Sequence, residues 1–598
     1  MRQEKWMVRG GRAKPIVEKY GLHPVLARII AGRLEGQDPG AFLDRSGQLF
    51  DPLLLKNAES ACRLLLQEID QNQSLCIVGD YDVDGVTSTA ILYLGLKHVF
   101  PETRISFRIP ERMTEGYGIS MSIAHELYEE GVTHVLTCDN GIAATEPIRF
   151  LKEKGIRVIV TDHHEVPRDS EGHQVVPEAD FVINPHLEGD PSPQKEICGA
   201  FVALQMIRLL YRLSSSSEQD SDVFPELFRT LYGYAALGTV CDVMPLTMEN
   251  RRLVYQGLRY LNEHPPLGIK ALMDEAQVSH LDPVSVGFRI GPMLNAGGRL
   301  GSQNRYVHIL LSDSSKECQE IARELNQTNQ LRQEMTDRGF KEGLAQVESL
   351  HPDDLVKVIY LPELHESIAG LVAGKVKERL YRPVLTLTRA EKGLKGSARS
   401  IESYMMVEEL SKVRHLFSKM GGHAMAAGFS LDCEPGKEEQ TVEQLREELN
   451  AKCMLSGDDL VPTVYIDAQM KITDITIPWL DRLEILAPFG VKNPSPQLAE
   501  KDITLLKCQL LGAKGNVVRL LLQDEGGAME AVCFDRGLIE DLLMDAPAAD
   551  IALEEMKRGI YFSNPLQVDI IYEPKADYYY GSPRIKIQLK HIRYSQKQ

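Results

Sequence analysis

Four short segments of the chain end in carboxylates or imidazoles where an apolar run stops: Gly79-Asp80-Tyr81-Asp82-Val83-Asp84-Gly85, Cys138-Asp139-Asn140-Gly141, Thr161-Asp162-His163-His164 and Val240-Cys241-Asp242. The preceding runs, Leu75 to Val78, Val135-Leu136, Val158 to Val160 and Ala235 to Val240, read as buried strands. The polar groups would then gather at the carboxyl edge of one parallel sheet, where open α/β folds collect ligands. Alternate residues of an extended segment share a face, so Asp80, Asp82 and Asp84 are expected to point together as a three-pronged chelator. Carboxylates that close cannot all ionise unless a cation neutralises them. Mostly oxygen ligands with a single imidazole suit manganese or magnesium, and no cysteine pair is placed to make a zinc site. A pair of such ions polarises a phosphoryl oxygen, activates water and stabilises a leaving oxygen, which makes phosphodiester hydrolysis the natural reaction. A lone Asp at a strand end is as readily a turn or a helix cap. So many of these groups, in four segments that each follow an apolar run, outweigh that reading.

The elements that must position these groups are those of an α/β protein. From about 60 to 255 strand-like and helical runs alternate, with Asp180 to Asn184 as an extra strand, so a doubly wound parallel sheet is expected. Ser214 to Asp222 reads as a solvent loop within it, because the strand carrying Asp242 has still to come. Ile321, Leu325 and Leu331 predict one apolar stripe on a long helix bridging two lobes. A second α/β unit opens at Leu355 to Tyr360, and repeated short strands with Gly turns from 460 onward predict a small barrel. The expected domains are a helical cap on the catalytic domain at 1–50, the catalytic domain at 51–314, a connecting helix at 315–350, a substrate-binding α/β domain at 351–435, a helical linker at 436–459 and the barrel at 460–598.

With 598 residues the chain is too long for one core. Its 43% hydrophobic and 25% charged residues are ordinary for a folded protein, and no apolar run approaches the ~18 residues of a membrane span. The charged start, Met1 to Trp6, does not read as a secretion signal. Ten cysteines without a C-x-x-C pair read as reduced thiols, so a cytoplasmic protein is expected. Net charge is −18, yet distribution matters more than the sum. Lys375, Lys377, Arg379, Arg382, Arg389, Lys392, Lys395 and Arg399 face only Glu378 and Glu391 in one stretch, where a polyanion could be gripped or where cations simply solvate a helix face.

The acidic, Thr-Asp-His-His and Gly-Thr-Val-Cys-Asp-Val segments resemble the DHH phosphoesterase superfamily, and within it the RecJ single-strand-specific exonucleases. Further landmarks carry the resemblance from about residue 75 to 428: Gly116-Tyr117-Gly118, Cys198-Gly199-Ala200, Asn295-Ala296-Gly297-Gly298-Arg299, His365-Glu366-Ser367, Gly396-Ser397-Ala398-Arg399 and Gly421-Gly422-His423. The resemblance implies two lobes, a DHH catalytic lobe and a Gly-Gly-His lobe, joined by the long helix and followed by an OB-fold barrel. It implies two divalent ions, with Asp80 and Asp82 on one, Asp139 bridging, and Asp84, His163 and Asp242 on the other. His164 and His423 would contact the scissile phosphate and Asp162 would orient its neighbours. The superfamily often has a histidine upstream of the acidic pair, where Val78 stands here and Asp80 supplies the acid.

By the same resemblance Arg112, Ser397 and Arg399 would recognise a terminal phosphate, Gly421, Gly422 and His423 would bind substrate, and Arg299 would face the strand. For Arg112 the alternative is a surface ion pair. Tyr117 could stack on a base or be a core tyrosine, and Tyr578, Tyr579 and Tyr580 could be a stacking surface or a strand edge. The expected activity is removal of nucleotides from the 5′ end of single-stranded DNA in repair and recombination. Single-strand-binding protein and a helicase are expected partners, with no membrane and a monomeric chain. Rival readings are a phosphodiesterase for short oligoribonucleotides or cyclic dinucleotides, a pyrophosphatase, and a non-catalytic single-strand-binding scaffold. The roughly 140 residues after the second lobe favour a polymer, and no matched ligand is lost.

Overall fold

The computed structural model describes residues 4–34, 38–112, 115–214, 226–300, 303–349, 351–390, 392–512, 515–577 and 583–595. The tyrosine run at 578–580 and all but Ser214 of the serine-rich loop reading lie outside these residues. The chain forms two compact units, one of Gln48–Met244 with Arg252–Leu460 and one of Met1–Gly47, Pro245–Arg251 and Val461–Gln598.

In the first unit, strands β1 (Ser74–Val78), β2 (Arg104–Arg108), β3 (His134–Cys138), β4 (Arg157–Thr161) and β5 (Phe181–Ile183) make a wholly parallel sheet in the order β2-β1-β3-β4-β5. β1 and β3 are buried throughout, which is why they read as unbroken apolar runs. Helix α1 (Val83–Val99) starts at the first acidic segment and packs on α2 (Gly199–Ser214) and α3 (Glu226–Cys241). Gly95 permits the close approach, since a Cβ there would stand 2.5 Å from an Ile207 methyl.

The run Ala235 to Val240 is therefore the last turn and a half of a helix, not a strand. Residues Leu231 to Thr239 are buried on every side of α3, and a helix covered all round has no amphipathic period to separate it from a central strand. α4 (Gly291–Leu300) leads to the connecting helix α5 (Ser315–Ser349). Ile321 and Leu325 lie on its buried stripe, but Leu331 is exposed and the stripe continues through Asn329, Thr336, Gly339 and Gly343. The two glycines let α6 (Ala369–Leu380) and the second sheet come close, through Val372 and Ile359.

That second sheet has the order β9-β10-β8-β7-β6, with β6 (Lys357–Tyr360) and β7 (Val384–Arg389) parallel and β8 (Leu394–Arg399), β9 (Lys419–His423) and β10 (Ala426–Leu431) antiparallel to their neighbours. The acidic stretch expected as a helical linker is the helix Glu438–Lys452, and it packs into this lobe. Val442, Leu445 and Leu449 enter its core, and Asn450 accepts the Leu355 and Val356 amides at 2.9 and 3.0 Å.

The other unit is built on β11 (Ala468–Gln469), β12 (Leu498–Leu511), β13 (Val517–Asp524), β14 (Gly527–Cys533), β15 (Tyr561–Asp577) and β16 (Arg584–Tyr594), in the order β11-β12-β13-β14-β16-β15. β15 pairs back onto β12, which closes the ring as a barrel. The first 47 residues belong to this unit. Lys5–Val8 pairs in parallel with Thr463–Ile466, and Leu26, Ile29 and Ile30 enter the barrel core. Arg33 grips both oxygens of buried Asp467 at 3.1 and 2.8 Å, and fully buried Arg251 donates to the carbonyls of Phe42, Ile485 and Leu486. Partners more than 200 residues apart leave no local signal in a sequence.

Glu500 of β12 accepts the Ile472 amide at 2.7 Å, and burial, with Asp524 nearby, pushes its pKa up to about 7. Its folded pKa exceeds its unfolded value of about 4.3, so ionisation costs stability that is intact at low pH and lost between those two pH values. Glu500→Gln, which keeps the acceptor, is expected to raise the unfolding temperature by several degrees at pH 8 and to change it little at pH 4.5, in thermal melts at the two pH values.

Candidate metal centre and strand-binding cleft

The carboxyl ends of β1, β3 and β4 deliver the acidic segments to one place, as their order in the sheet requires. After β1 the backbone does not stay extended. Asp82 caps α1, its carboxylate accepting the Gly85 amide at 3.0 Å, and Asp84 falls in the first helical turn. The three carboxylates therefore diverge and do not share one extended face. Asp80 and Asp82 meet Asp139, while Asp84 turns towards His163 and Asp242; within each trio a ligand atom from every residue lies within 4.8 Å of the others.

Asp139 stands between the trios. It holds a left-handed φ of 60°, uncommon for a non-glycine residue, and its amide donates to the Thr161 carbonyl of β4 at 3.1 Å. Asn140 beside it donates to the Val78 and Cys138 carbonyls at 2.9 and 2.8 Å and accepts the Ile119 amide, tying three loops to the same edge. Asp242 follows the C-terminus of α3, and Val243 after it also has a φ of 60°. Two backbone strains of this kind at one site are spent on aiming side chains.

His163 Nε2 lies 3.0 Å from Asp139 Oδ1 and 3.6 Å from both Asp84 Oδ2 and Asp242 Oδ2. Those atoms of Asp139, His163 and Asp242 are buried and have no hydrogen-bond partner. Burial, then the charge of Asp82, holds Asp80 well above the usual carboxylate range. Burial, then Asp84, raises Asp82 and holds Asp139 and Asp242 well above that range, and burial keeps the His163 imidazole below its ordinary value. Orphaned oxygens that resist ionising, around a neutral imidazole, are the donor set of a divalent cation with a taste for oxygen. The residues fit two ions sharing Asp139.

The flanking groups are fixed too. Asp162 accepts the amides of Ile142, His163 and His164. Its Oδ1 takes His164 Nδ1 at 2.8 Å, and although burial opposes the charged imidazole, this bond lifts the His164 pKa to about 9. Asp139, His163 and His164 form a further trio within ligand reach, but His164 Nδ1 is already engaged by Asp162, and the Tyr117 hydroxyl stands 3.3 Å from Nε2. Tyr117 is neither a core residue nor plainly a base platform. It is 49% exposed, its ring meets His164 edge-on, and its hydroxyl donates to the Asp139 carbonyl at 2.6 Å.

Asp84 accepts the Gly199 and Ala200 amides at 2.6 and 2.9 Å, from the N-terminus of α2. The segment Cys198-Gly199-Ala200 stands among the sequence landmarks, but without a charged side chain nothing in it marks the glycine as part of the site. A methyl on Gly199 would stand 2.7 Å from Asp139 Cβ and 3.0 Å from Asp84 Oδ2. Gly199→Ala must displace both carboxylates, and a shift approaching 1 Å costs about 10²-fold in rate. A kcat reduced by that order, with a cooperative melt retained, is expected in steady-state assays.

Arg299, on α4, reaches the second lobe, donating to the Ser367 carbonyl at 2.6 Å. Burial, then Arg112, Arg332 and Arg399, pushes its pKa down to about 10. Arg399 is lowered by burial and by Arg112, and donates to Ser397 Oγ at 3.1 Å. Arg112 lies over the Tyr81 ring at 5.0 Å and forms no ion pair among the described residues. Four guanidinium groups thus crowd one cleft; Arg332, on α5, was not read from the sequence because no motif surrounds it. The rest of the basic tract is largely spoken for, since Lys375, Arg389 and Lys395 pair with Asp337, Glu363 and Glu366. Gly421, Gly422 and His423 stand exposed on edge strand β9, and no bond among the described residues joins them to the carboxylates.

Three family models match the chain: the DHH family N-terminal domain at residues 74–239, the DHHA1 domain at 354–454 and the RecJ OB domain at 466–591. The single-stranded-DNA-specific exonuclease RecJ of Haemophilus influenzae is 32% identical over 88% of this chain and 91% of its own length. The chain belongs to the RecJ family. The RecJ of Bacillus subtilis is also 32% identical, over 89% of this chain, which spans 65% of that relative's length. The crystal structure of RecJ in complex with Mn2+ from Thermus thermophilus superposes with a TM-score of 0.78 at 25% identity, covering 99% of this chain and 80% of that one. The parallel catalytic sheet, second lobe and closed barrel are the RecJ architecture.

Proposed function

We propose that this RecJ-family chain is a manganese- or magnesium-dependent exonuclease that degrades single-stranded DNA from the 5′ end to mononucleotides. The observation that carries the reading is the pair of ligand trios, Asp80-Asp82-Asp139 and Asp84-His163-Asp242, linked where Asp139 Oδ1 stands 3.0 Å from His163 Nε2, with buried atoms left unpartnered, beside a cleft of arginines that form no ion pair among the described residues. Ions bound there would supply Lewis-acid activation of the phosphate and of the attacking water.

The chain's own groups do the rest. Asp80, Asp82 and Asp139 would hold one ion and Asp84, Asp139, His163 and Asp242 the other. His164, oriented by Asp162 and raised to about 9, presents a charged N–H to a nonbridging oxygen, with His423 of the second lobe as a second donor. Arg112, Arg299, Ser397 and Arg399 would bind the terminal phosphate. Such a pocket fixes the chain end, which makes the enzyme an exonuclease. Gly421 and Gly422, lacking side chains, leave the edge of β9 open to the strand, and Tyr117 sets the Asp139 carbonyl.

On the barrel, exposed Phe534 lies beside Lys586 at 5.7 Å and exposed Tyr561 beside Lys507 at 5.6 Å. Aromatic faces paired with cations bind single strands without regard to sequence. No helix among the described residues is long and apolar enough to cross a membrane, and all ten cysteines are free thiols. We infer further that the enzyme is monomeric and cytoplasmic and acts in repair and recombination with a single-strand-binding protein and a helicase. The test is degradation of end-labelled DNA with manganese. Mononucleotide release only from the 5′ end of a single strand is expected; release from duplex ends or from the 3′ end contradicts the reading.

A further inference from the structure

Just before α4 the backbone forms one π-helical turn, Val286–Ile290, so that a single helical rod runs from Val286 to Leu300. Turns of this kind are rare and concentrate at functional sites. The rod spans the metal centre. At one end its glycines face the residues that precede Asp242: a Cβ on Gly291 would stand 2.5 Å from Cys241 Sγ, and one on Gly287 would stand 3.9 Å from Val240 Cγ1. At the other end Asn295 accepts the Val83 amide at 3.2 Å and Gly298 lies against the Tyr81 carbonyl, both within the first acidic segment.

Along this rod the less buried positions after the π turn are Pro292, Asn295 and Arg299, at helical spacing, with terminal Leu300, and Phe288 lies four residues before Pro292. Phe288 is 80% exposed, the most of any aromatic among the described residues. A phenylalanine that open contributes nothing to the core. Arg289 beside it donates to the Gln277 carbonyl and forms no ion pair among the described residues. Eleven residues of helix separate Phe288 from Arg299, about 16 Å, with the carboxylate cluster alongside.

We propose that Phe288 is a base-stacking residue, holding a nucleotide of the single strand on the far side of the metal centre from the arginine pocket. This rests on the single-strand nuclease reading of the site. Its ring offers a flat apolar face, the π turn aims that face outward, and the adjacent Arg289 meets the backbone phosphate. Stacking there steadies the scissile phosphodiester without selecting sequence.

The test uses the full chain with manganese and a 5′-phosphorylated oligodeoxynucleotide, comparing the unsubstituted protein with Phe288→Ala and Phe288→Trp. Because the side chain is exposed, both variants should melt as the parent does. Phe288→Ala is expected to raise KM about ten-fold, the effect falling on KM more than on kcat, and Phe288→Trp to restore it. A single abasic sugar walked along the strand should weaken the parent at one position and leave the alanine variant no worse there. If the parent degrades the strand but KM is unchanged in Phe288→Ala, or the abasic scan is identical in both, the stacking role is wrong while the nuclease reading stands. If the parent degrades no single strand, the nuclease reading fails and this inference falls with it.

Discussion

Asp139→Asn is expected to fold, to bind one divalent ion weakly where the parent binds two, and to lose nuclease activity almost entirely. Asparagine is the instructive replacement, because it tolerates the left-handed φ of 60° that position 139 demands and keeps the size of the side chain. What it removes is the one carboxylate placed to serve both trios, a member of the first and 3.0 Å from His163 of the second. Removing one neutral transition-state donor from an enzyme costs roughly 10²–10³-fold, and loss of a shared ligand should exceed that. A second readout separates chemistry from folding. Carboxylates this close repel one another when no cation neutralises them, so saturating manganese should raise the unfolding temperature of the parent, by an amount that follows from its affinity, and raise that of Asp139→Asn far less. Near-normal hydrolysis by the variant would refute the shared-ligand assignment.

Arg399→Gln is expected to erase the preference for a phosphorylated 5′ end. Arg399 is held in place by Ser397 and the Ala398 carbonyl, and Gly370 leaves room for the guanidinium, where a Cβ would stand 2.8 Å from its Nη2. Burial and Arg112 both press against its charge, a cost that an anion between the two would relieve. Charge-assisted bonds of about 1.5–3 kcal/mol correspond to roughly 10–150-fold in apparent affinity. KM for 5′-phosphorylated DNA should rise by that order, while KM for the 5′-hydroxyl strand changes little, as competition between the two labelled strands would report. An equal rise for both strands would place the contact elsewhere along the backbone.

The chemistry was legible because its residues sit in short local patterns. Asp80, Asp82, Asp84, Asp139, His163 and Asp242 each close a segment whose apolar run marks it as buried, and the three segments at β1, β3 and β4 are strand ends as read. The shape of the first segment was not legible. Asp82 as a helix cap and Asp84 in the first turn follow from the start of α1, and the same alternating acids would equally suit an extended run. Asp242 was rightly grouped but on the wrong element, because α3 is apolar all round. The arginine cleft was half visible: Arg112, Arg299 and Arg399 lie in motifs, whereas Arg332 lies mid-helix with no motif around it. The N-terminal residues gave no sign of joining the barrel, since Arg33 and Asp467 recognise each other only in the folded chain.

The account rests on two cations bound to one set of side chains. Anomalous diffraction from crystals of the full chain soaked in manganese measures this directly. Two peaks about 3.5–4 Å apart, one against Asp80, Asp82 and Asp139 and the other against Asp84, Asp139, His163 and Asp242, are the expected result. A single peak, or two that do not share Asp139, would contradict it.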